Sequence, residues 1–185
     1  NLSGWNMVGL SVGVEDENVS IIFPEAIDGT LYSFDGSYIL EENLVNGQGY
    51  WLRFDNAGST TISGTPINEL TITLSEGWNM ISGISFPVSV DVIIDPSGLI
   101  IPGTVYGFDG SYFSESTIGT GYGYWLRSVS DGEITLSESG NSRKMARVHL
   151  PESANTLRVN GQTLYFGVDI PYHDRLSYSL PPKPP

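Results

Sequence analysis

The feature that most constrains the fold of this 185-residue chain is an internal repeat. Three short motifs occur twice, in the same order: Gly-Trp-Asn-Met at residues 4–7 and 77–80, Phe-Asp-Gly-Ser-Tyr at 34–38 and 108–112, and Gly-Tyr-Trp-Leu-Arg at 49–53 and 123–127. Their offsets are 73, 74 and 74 residues, so one residue inserted in a loop brings all three into register. Collinear repetition of motifs that contain the rare residue Trp indicates a duplicated structural unit.

The repeated motifs have the residue pattern of short β-strands joined by tight turns. Residues 31–34 and 37–40 flank Asp35-Gly36, a dipeptide that tolerates the positive φ angles of a two-residue hairpin turn. Each copy therefore contains about five predicted strands: the first motif, two hairpin strands, the third motif and a strand that follows it. The fifth strand is predicted at residues 60–63 in copy one and 133–137 in copy two.

The chain is accordingly predicted to be all-β, with two tandem homologous small β-barrel or β-sandwich repeats followed by a partial β-sandwich segment. The predicted divisions are residues 1–73, 74–139 and 140–185, the last with a Pro-rich end. Barrel and sandwich both remain open at this point, as does the packing of the two repeats into one body or two. Strands are predicted in the third segment at residues 146–150, 156–159, 163–170 and 176–180, with Asn160-Gly161 as a hairpin turn and Pro181–Pro185 as a linker.

Charge and composition disfavour several classes of partner. Eight basic residues against 21 acidic ones give a net charge of −13, which repels nucleic acid and anionic lipid headgroups. No apolar stretch approaches the roughly 18 residues of a membrane span, so no membrane insertion is expected. The absence of Cys excludes disulfides, thiol catalysis and zinc–thiolate sites.

The motifs at residues 4–7, 34–38 and 49–53, with their second copies, resemble a repeat module of large secreted bacterial multidomain proteins. Residues 164–185 resemble the region that precedes C-terminal sorting domains in proteins exported by the type IX secretion system. The resemblance implies an extracellular or cell-surface location, with other domains of the same parent protein as partners. It carries no catalytic residues that could be transferred to this chain.

Catalysis is not expected. The two histidines, His149 and His173, lie outside the duplicated part of the chain, and Gly-x-Ser-x-Gly occurs once, at residues 9–13, where no helix is predicted to follow the serine. A pair of carboxylates is unavoidable among 21 acids, so its presence says little about glycosidase chemistry. We therefore predict a chain that is not an enzyme.

Candidate ligand-binding residues are aromatic. The four Trp recur at matched positions, which is typical of core residues. Tyr122 and Phe113, by contrast, replace Gln48 and Ile39 of copy one. With the hairpin tyrosines Tyr38 and Tyr112, they are the candidates for contact with a polysaccharide.

Calcium is the metal that the sequence could hold, because hard oxygen ligands are abundant. The candidate ligands are Asp16 and Glu17 in one loop, with Asp91 and Asp95 in the corresponding loop of copy two. No Asp-x-Asp-x-Asp-Gly motif supports them, and acidic loops are usually just solvated. No other cofactor is expected.

These observations together predict a non-catalytic extracellular accessory module, part spacer and part interaction surface, of a larger secreted or cell-surface protein. The alternative is a carbohydrate-binding module that uses exposed aromatic side chains.

Overall fold

A computed structural model describes residues 1–138, 155–159, 162–167, 169 and 172–185. It confirms the all-β class: the strands form several antiparallel sheets, none of which closes into a barrel. Within these ranges, helical structure is confined to one α-helical turn and two 3-10 segments: Val19–Ile22, Val90–Val92 and Tyr172–Tyr178. None of these helices is long and apolar enough to cross a membrane.

The strands of the described residues are numbered in chain order. They are β1 (Gly4–Gly9), β2 (Val12–Gly13), β3 (Tyr32–Phe34), β4 (Tyr38–Leu40), β5 (Gly49–Phe54), β6 (Thr65–Pro66), β7 (Glu69–Leu74), β8 (Gly77–Ser82), β9 (Val88–Ser89), β10 (Tyr106–Phe108), β11 (Tyr112–Ser114), β12 (Thr117–Ile118), β13 (Gly123–Ser128), β14 (Gly132–Ser137), β15 (Asn155–Val159) and β16 (Gln162–Phe166).

The two copies of the repeat build the same four-stranded sheet. The strand order is β1-β5-β3-β4 in copy one and β8-β13-β10-β11 in copy two, so each motif occupies the same place in both. The register matches as well, because Trp5 lies opposite Arg53 just as Trp78 lies opposite Arg127. The duplication seen in the sequence is therefore a duplication of the fold.

Outside these sheets the two copies differ. Strand β7 pairs along its whole length with β14, from Glu69 opposite Ser137 to Leu74 opposite Gly132. The predicted division after residue 73 falls inside β7. At the equivalent place in copy one, Asn1 and Gly58 exchange two backbone hydrogen bonds, of 3.0 and 3.2 Å.

Two predicted strands are wrong. Residues 60–63 form no strand, because the described part of copy one has no counterpart of β7 to pair with them; Ile62 alone packs against the core. Residues 176–180 are also not a strand: the 3-10 helix runs to Tyr178, and the prolines that follow cannot donate to a β-ladder.

Other details of the strand predictions are partly confirmed. Strands β15 and β16 lie where residues 156–159 and 163–170 were predicted, but β16 ends at Phe166. The predicted strand at 146–150 and the Asn160-Gly161 turn lie outside the described residues. The first hairpin turn has three residues rather than two, because Phe34 pairs with Tyr38, and it places Gly36 at a φ of +69°.

A seam, defined here as the contact between copy one and copy two, joins the repeats through their backbones. Its two β-bridges are Val8 with Tyr122 and Ile81 with Gln48. Since Ile81 occupies the position of Val8 in the repeat, and Tyr122 that of Gln48, the bridges are related by an approximate two-fold axis. Such a self-complementary contact is the geometry of a symmetric dimer built within one chain.

Aromatic side chains fill the seam. Phe34 in the hairpin of copy one packs edge-on against Trp125 of copy two, with ring centroids 4.9 Å apart. Phe108 packs in the same way against Trp51 of copy one, at 4.8 Å. Trp51 and Trp125 are completely buried, as expected for core residues, and they belong to one cluster shared by both copies.

The other two tryptophans lie at the rim of this shared cluster. Trp5 and Trp78 are half-buried and pack edge-on against Trp51 and Trp125, respectively. Each copy also has an aliphatic core of its own on the other side of its sheet, centred on Leu10, Leu44 and Leu52 in copy one. The two repeats thus form one body with a shared aromatic core between two separate aliphatic cores.

Glycine opens the third motif because the copies approach closely there. A Cβ atom on Gly49 would lie 2.5 Å from the carbonyl oxygen of Ile81, and one on Gly123 would lie 2.7 Å from that of Val8. Real Cβ atoms do not approach a backbone oxygen this closely, so any side chain at either position would push the seam apart.

We expect Gly49→Ala and Gly123→Ala each to lower the free energy of unfolding by about 1–3 kcal/mol, the usual effect of overpacking. Gly13→Ala is the matched control, since its Cβ would meet Thr65 at an ordinary 3.6 Å. Urea unfolding followed by tryptophan fluorescence measures all three. Equal free energies of unfolding for Gly49→Ala and Gly13→Ala would contradict the close approach of the two copies at Gly49.

Candidate functional site

Residues 179–185, called the tail here, lie against both copies of the repeat. This segment has no regular secondary structure, and its first proline, Pro181, is buried. The surface that holds it is called the tail site and is defined by Tyr38, Tyr112 and Arg127. Groups from both repeats converge there on a third segment of the chain.

Two equivalent tyrosines bind neighbouring carbonyl groups of the tail. The hydroxyl of Tyr38 donates to the carbonyl oxygen of Lys183, and that of Tyr112 donates to the carbonyl oxygen of Pro182. Both tyrosines end the Phe-Asp-Gly-Ser-Tyr motif, at the start of β4 and of β11. The duplication therefore supplies two identical donors, one from each copy.

Packing holds the two rings in place. Tyr38 lies edge-on to Phe34 of its own hairpin at 5.4 Å, and Tyr112 lies against Phe108 at 5.3 Å. The Tyr112 hydroxyl also accepts a hydrogen bond of 3.3 Å from Nε1 of Trp125. A chain of hydrogen bonds thus runs from the buried core to the tail, and such chains polarise their members favourably.

The symmetry is broken at the arginine that ends the third motif. Arg127 donates from Nη1 to the Ser179 hydroxyl at 2.7 Å, and its guanidinium lies 5.6 Å from the ring centroid of Trp78. Stacking on an indole ring orients the guanidinium and adds a cation–π contribution. The equivalent Arg53 is exposed, so the tail uses the arginine of copy two.

The tyrosine hydroxyls of the tail site are protonated at neutral pH, and burial makes them harder still to deprotonate. Burial raises the pKa of Tyr38 to about 12, and it also raises the pKa of Tyr112 above the usual value. The indole of Trp51 acts in the opposite direction on the pKa of Tyr38, although Nε1 of Trp51 has no partner within ordinary hydrogen-bond geometry. At neutral pH the tail site therefore presents hydrogen-bond donors and one permanent cation.

The four aromatic residues predicted to bind a ligand do not form one site. Tyr38 and Tyr112 meet at the tail, whereas Phe113 lies on the other face of β11 with its ring over Gly107. Tyr122 is 61% exposed and lies beside a cavity of about 420 Å³.

This cavity has a counterpart related by the approximate two-fold axis. The cavity beside Tyr122 is also lined by Asn6 and Thr120, and the counterpart, of about 620 Å³, is lined by Asn79 and Asn46 at the equivalent positions. The second cavity has Gln48 where the first has Tyr122. An exposed aromatic ring is thus what distinguishes the cavity in which Tyr122 lies.

The predicted calcium ligands either accept hydrogen bonds from the backbone of their own loops or are exposed. The carboxylate of Asp95 accepts backbone hydrogen bonds from Leu99 and Ile100, at 2.8 and 2.9 Å, and Asp16 accepts one from Asn18 at 3.0 Å. Asp91 is exposed within the 3-10 segment, and Glu17 is exposed in its loop. In the part of the chain that the structure describes, no three His, Cys, Asp or Glu side chains group to hold a metal.

The sequence analysis missed the tail as a ligand and Arg127 as a binding residue. Pro181–Pro185 was interpreted as a linker, and the arginine of the third motif was not singled out. The available signal was the combination of a proline run with a tyrosine repeated at matched positions. His149, one of the two histidines for which no catalytic role was predicted, lies outside the described residues.

No family model, curated protein or solved structure matches this chain.

The buried tyrosines predict a loss of stability at alkaline pH. Burial raises the pKa of Tyr38, Tyr50 and Tyr124 to about 12, against an ordinary value of 10 in the unfolded chain. Because the unfolded state loses these protons first, the free energy of unfolding should stay level up to about pH 10 and fall between about pH 10 and 12.

Urea unfolding at successive pH values, with tyrosinate absorbance at 295 nm, provides the measurement. Constant stability from pH 9 to pH 12, or a native titration in which every tyrosine ionises near pH 10, would contradict the burial of these hydroxyls.

Proposed function

We propose that the chain is a non-catalytic extracellular accessory module of a larger secreted or cell-surface protein, acting as spacer and interaction surface. The observation that carries this proposal is the tail site, where two copies of one motif hold an extended segment by its backbone. Protonated tyrosine hydroxyls and a guanidinium donate hydrogen bonds to acceptor groups, as they do in the tail site. They are poor proton acceptors at neutral pH, so the chemistry of the site favours binding over catalysis.

The seam supports the spacer role. Because Trp51 and Trp125 are buried in a cluster that both repeats share, the repeats cannot move independently without exposing that cluster to water. A unit of this kind holds whatever is attached to it at a defined separation. The partners proposed for it are other domains of the same parent protein, and the extracellular location rests on the resemblance of the motifs.

Carbohydrate binding is the second candidate, and one observation favours it. Tyr122 presents an exposed ring beside a cavity that the exposed Thr120 also lines. A flat aromatic face with a hydroxyl group beside it suits a sugar ring. The tryptophans offer no such platform, since the Trp5–Trp51 and Trp78–Trp125 pairs pack edge-on at 80° and 78°.

Affinity electrophoresis in gels that contain soluble polysaccharides separates the two candidates. We expect the chain to migrate without retardation and to release no reducing ends, because the site that carries our proposal binds a peptide backbone. Tyr122→Ala should behave like the parent chain, and Gln48→Ala is its matched control in the second cavity.

Retardation that Tyr122→Ala abolishes and Gln48→Ala preserves would make carbohydrate binding the better account. Release of reducing ends in proportion to the protein concentration would overturn the non-catalytic assignment.

A further inference from the structure

We propose that the tail site is a receptor for basic, proline-rich segments in extended conformation, and that the chain's own tail is a built-in competitor for a segment of this kind in another protein. This inference rests on the proposed function, because it names the ligand class of the interaction surface.

The tail matches the site by hydrogen-bonding chemistry. Four of its last five residues are proline, which has no backbone N–H, so the segment presents carbonyl acceptors with few donors. The tail site offers the complement to these carbonyls in two tyrosine hydroxyls, and the guanidinium of Arg127 donates to the hydroxyl of Ser179. A β-strand partner would need backbone acceptors as well as donors along an edge, whereas Tyr38, Tyr112 and Arg127 contact the tail through their side chains.

The backbone geometry of a proline run explains why both repeats take part. Proline fixes φ near −65°, and a residue before proline is restricted to extended conformations, which applies to Leu180, Pro181, Lys183 and Pro184. Such a segment has about three residues per turn, so successive carbonyls point roughly 120° apart. One tyrosine cannot reach both, whereas Tyr112 and Tyr38, on opposite sides of the seam, bind Pro182 and Lys183 in succession.

Burial and charge further restrict the class of segment that the site can bind. Pro181 is buried while the side chain of Lys183 is exposed, so the site covers one proline and leaves the basic residue in solvent. The net charge of −13 favours approach of a positively charged segment. Aromatic surfaces that bind proline-rich segments are an established mode of peptide recognition, and the preformed extended conformation reduces the entropy lost on binding.

Attachment of the tail to the same chain makes it an effective competitor. A tethered segment acts at an effective concentration of the order of millimolar, so a free peptide of equal affinity competes poorly until the tail is weakened. The site therefore becomes available in trans when the tail is displaced by a stronger proline-rich segment.

The test uses the full chain and a peptide with the tail sequence Ser-Leu-Pro-Pro-Lys-Pro-Pro, amidated at its C-terminus and carrying an uncharged fluorophore at its N-terminus, followed by fluorescence anisotropy. Replacing Pro181 and Pro182 in the chain with alanine should weaken the tethered tail. The labelled peptide should then bind at least tenfold more tightly than it binds the parent chain. Raising the salt concentration should weaken this binding, because the peptide is basic and the protein acidic.

Removal of a single tyrosine hydroxyl tests whether the peptide binds at the tail site. In the chain with the weakened tail, Tyr38→Phe should reduce peptide affinity by roughly threefold to tenfold, the effect of one lost hydrogen bond. Tyr38→Phe is easier to interpret than Tyr112→Phe, because the Tyr112 hydroxyl also accepts a hydrogen bond from Trp125 that Tyr112→Phe would remove. Tyr122→Phe is the matched control and should change nothing, and thermal unfolding verifies that each variant is folded.

Failure of the peptide to bind the weakened-tail chain, or equal binding by Tyr38→Phe and its control, would overturn the inference. Dimerisation of the parent chain that disappears with the weakened tail would assign the tail to a second copy and overturn the tethered arrangement. None of these outcomes affects the polysaccharide and turnover assays, which test the proposed function independently.

Discussion

The structure depends on a reciprocal exchange of aromatic rings across the seam. Each hairpin places a phenylalanine edge-on against the buried tryptophan of the other repeat, Phe34 on Trp125 and Phe108 on Trp51. Edge-to-face pairs contribute about 0.5–1.5 kcal/mol beyond the area they bury, and here two such pairs close one core. Without this exchange, each four-stranded sheet would leave its tryptophan facing water.

Duplication also explains how a small motif produces an interaction surface. The residue that ends the hairpin motif contributes one hydroxyl in each copy, and the approximate two-fold axis brings the pair to neighbouring carbonyls of one segment. The segment itself has no two-fold symmetry. It therefore engages Arg127 while the equivalent Arg53 remains exposed. The two nearly equivalent repeats therefore make different contacts with the one segment that they bind.

Much of the fold could be predicted because it is determined locally. Alternation of residues, the Asp35-Gly36 turn and the matched motifs indicate strands and a duplicated all-β unit before any contact is known. The pairing of β7 with β14 could not be predicted in this way, because it depends on a partner more than fifty residues away. The absence of a strand at residues 60–63 has the same cause, since their alternation is adequate and only the pairing partner is missing.

The candidate site was harder to predict than the fold. Tyr38 and Tyr112 were identified as aromatic candidates, but the sequence gives no indication that their hydroxyls meet one peptide segment. That convergence arises from the two-fold axis, a property of the packed repeats. Phe113 and Tyr122, chosen because they occur in one copy only, lie elsewhere for the same reason.

A double-mutant cycle between Phe34→Leu and Trp125→Phe tests the shared core most directly. The account predicts a coupling of about 0.5–1.5 kcal/mol in the free energy of unfolding, and near-additivity when Phe54→Leu replaces Phe34→Leu. Additivity of Phe34→Leu with Trp125→Phe would contradict it.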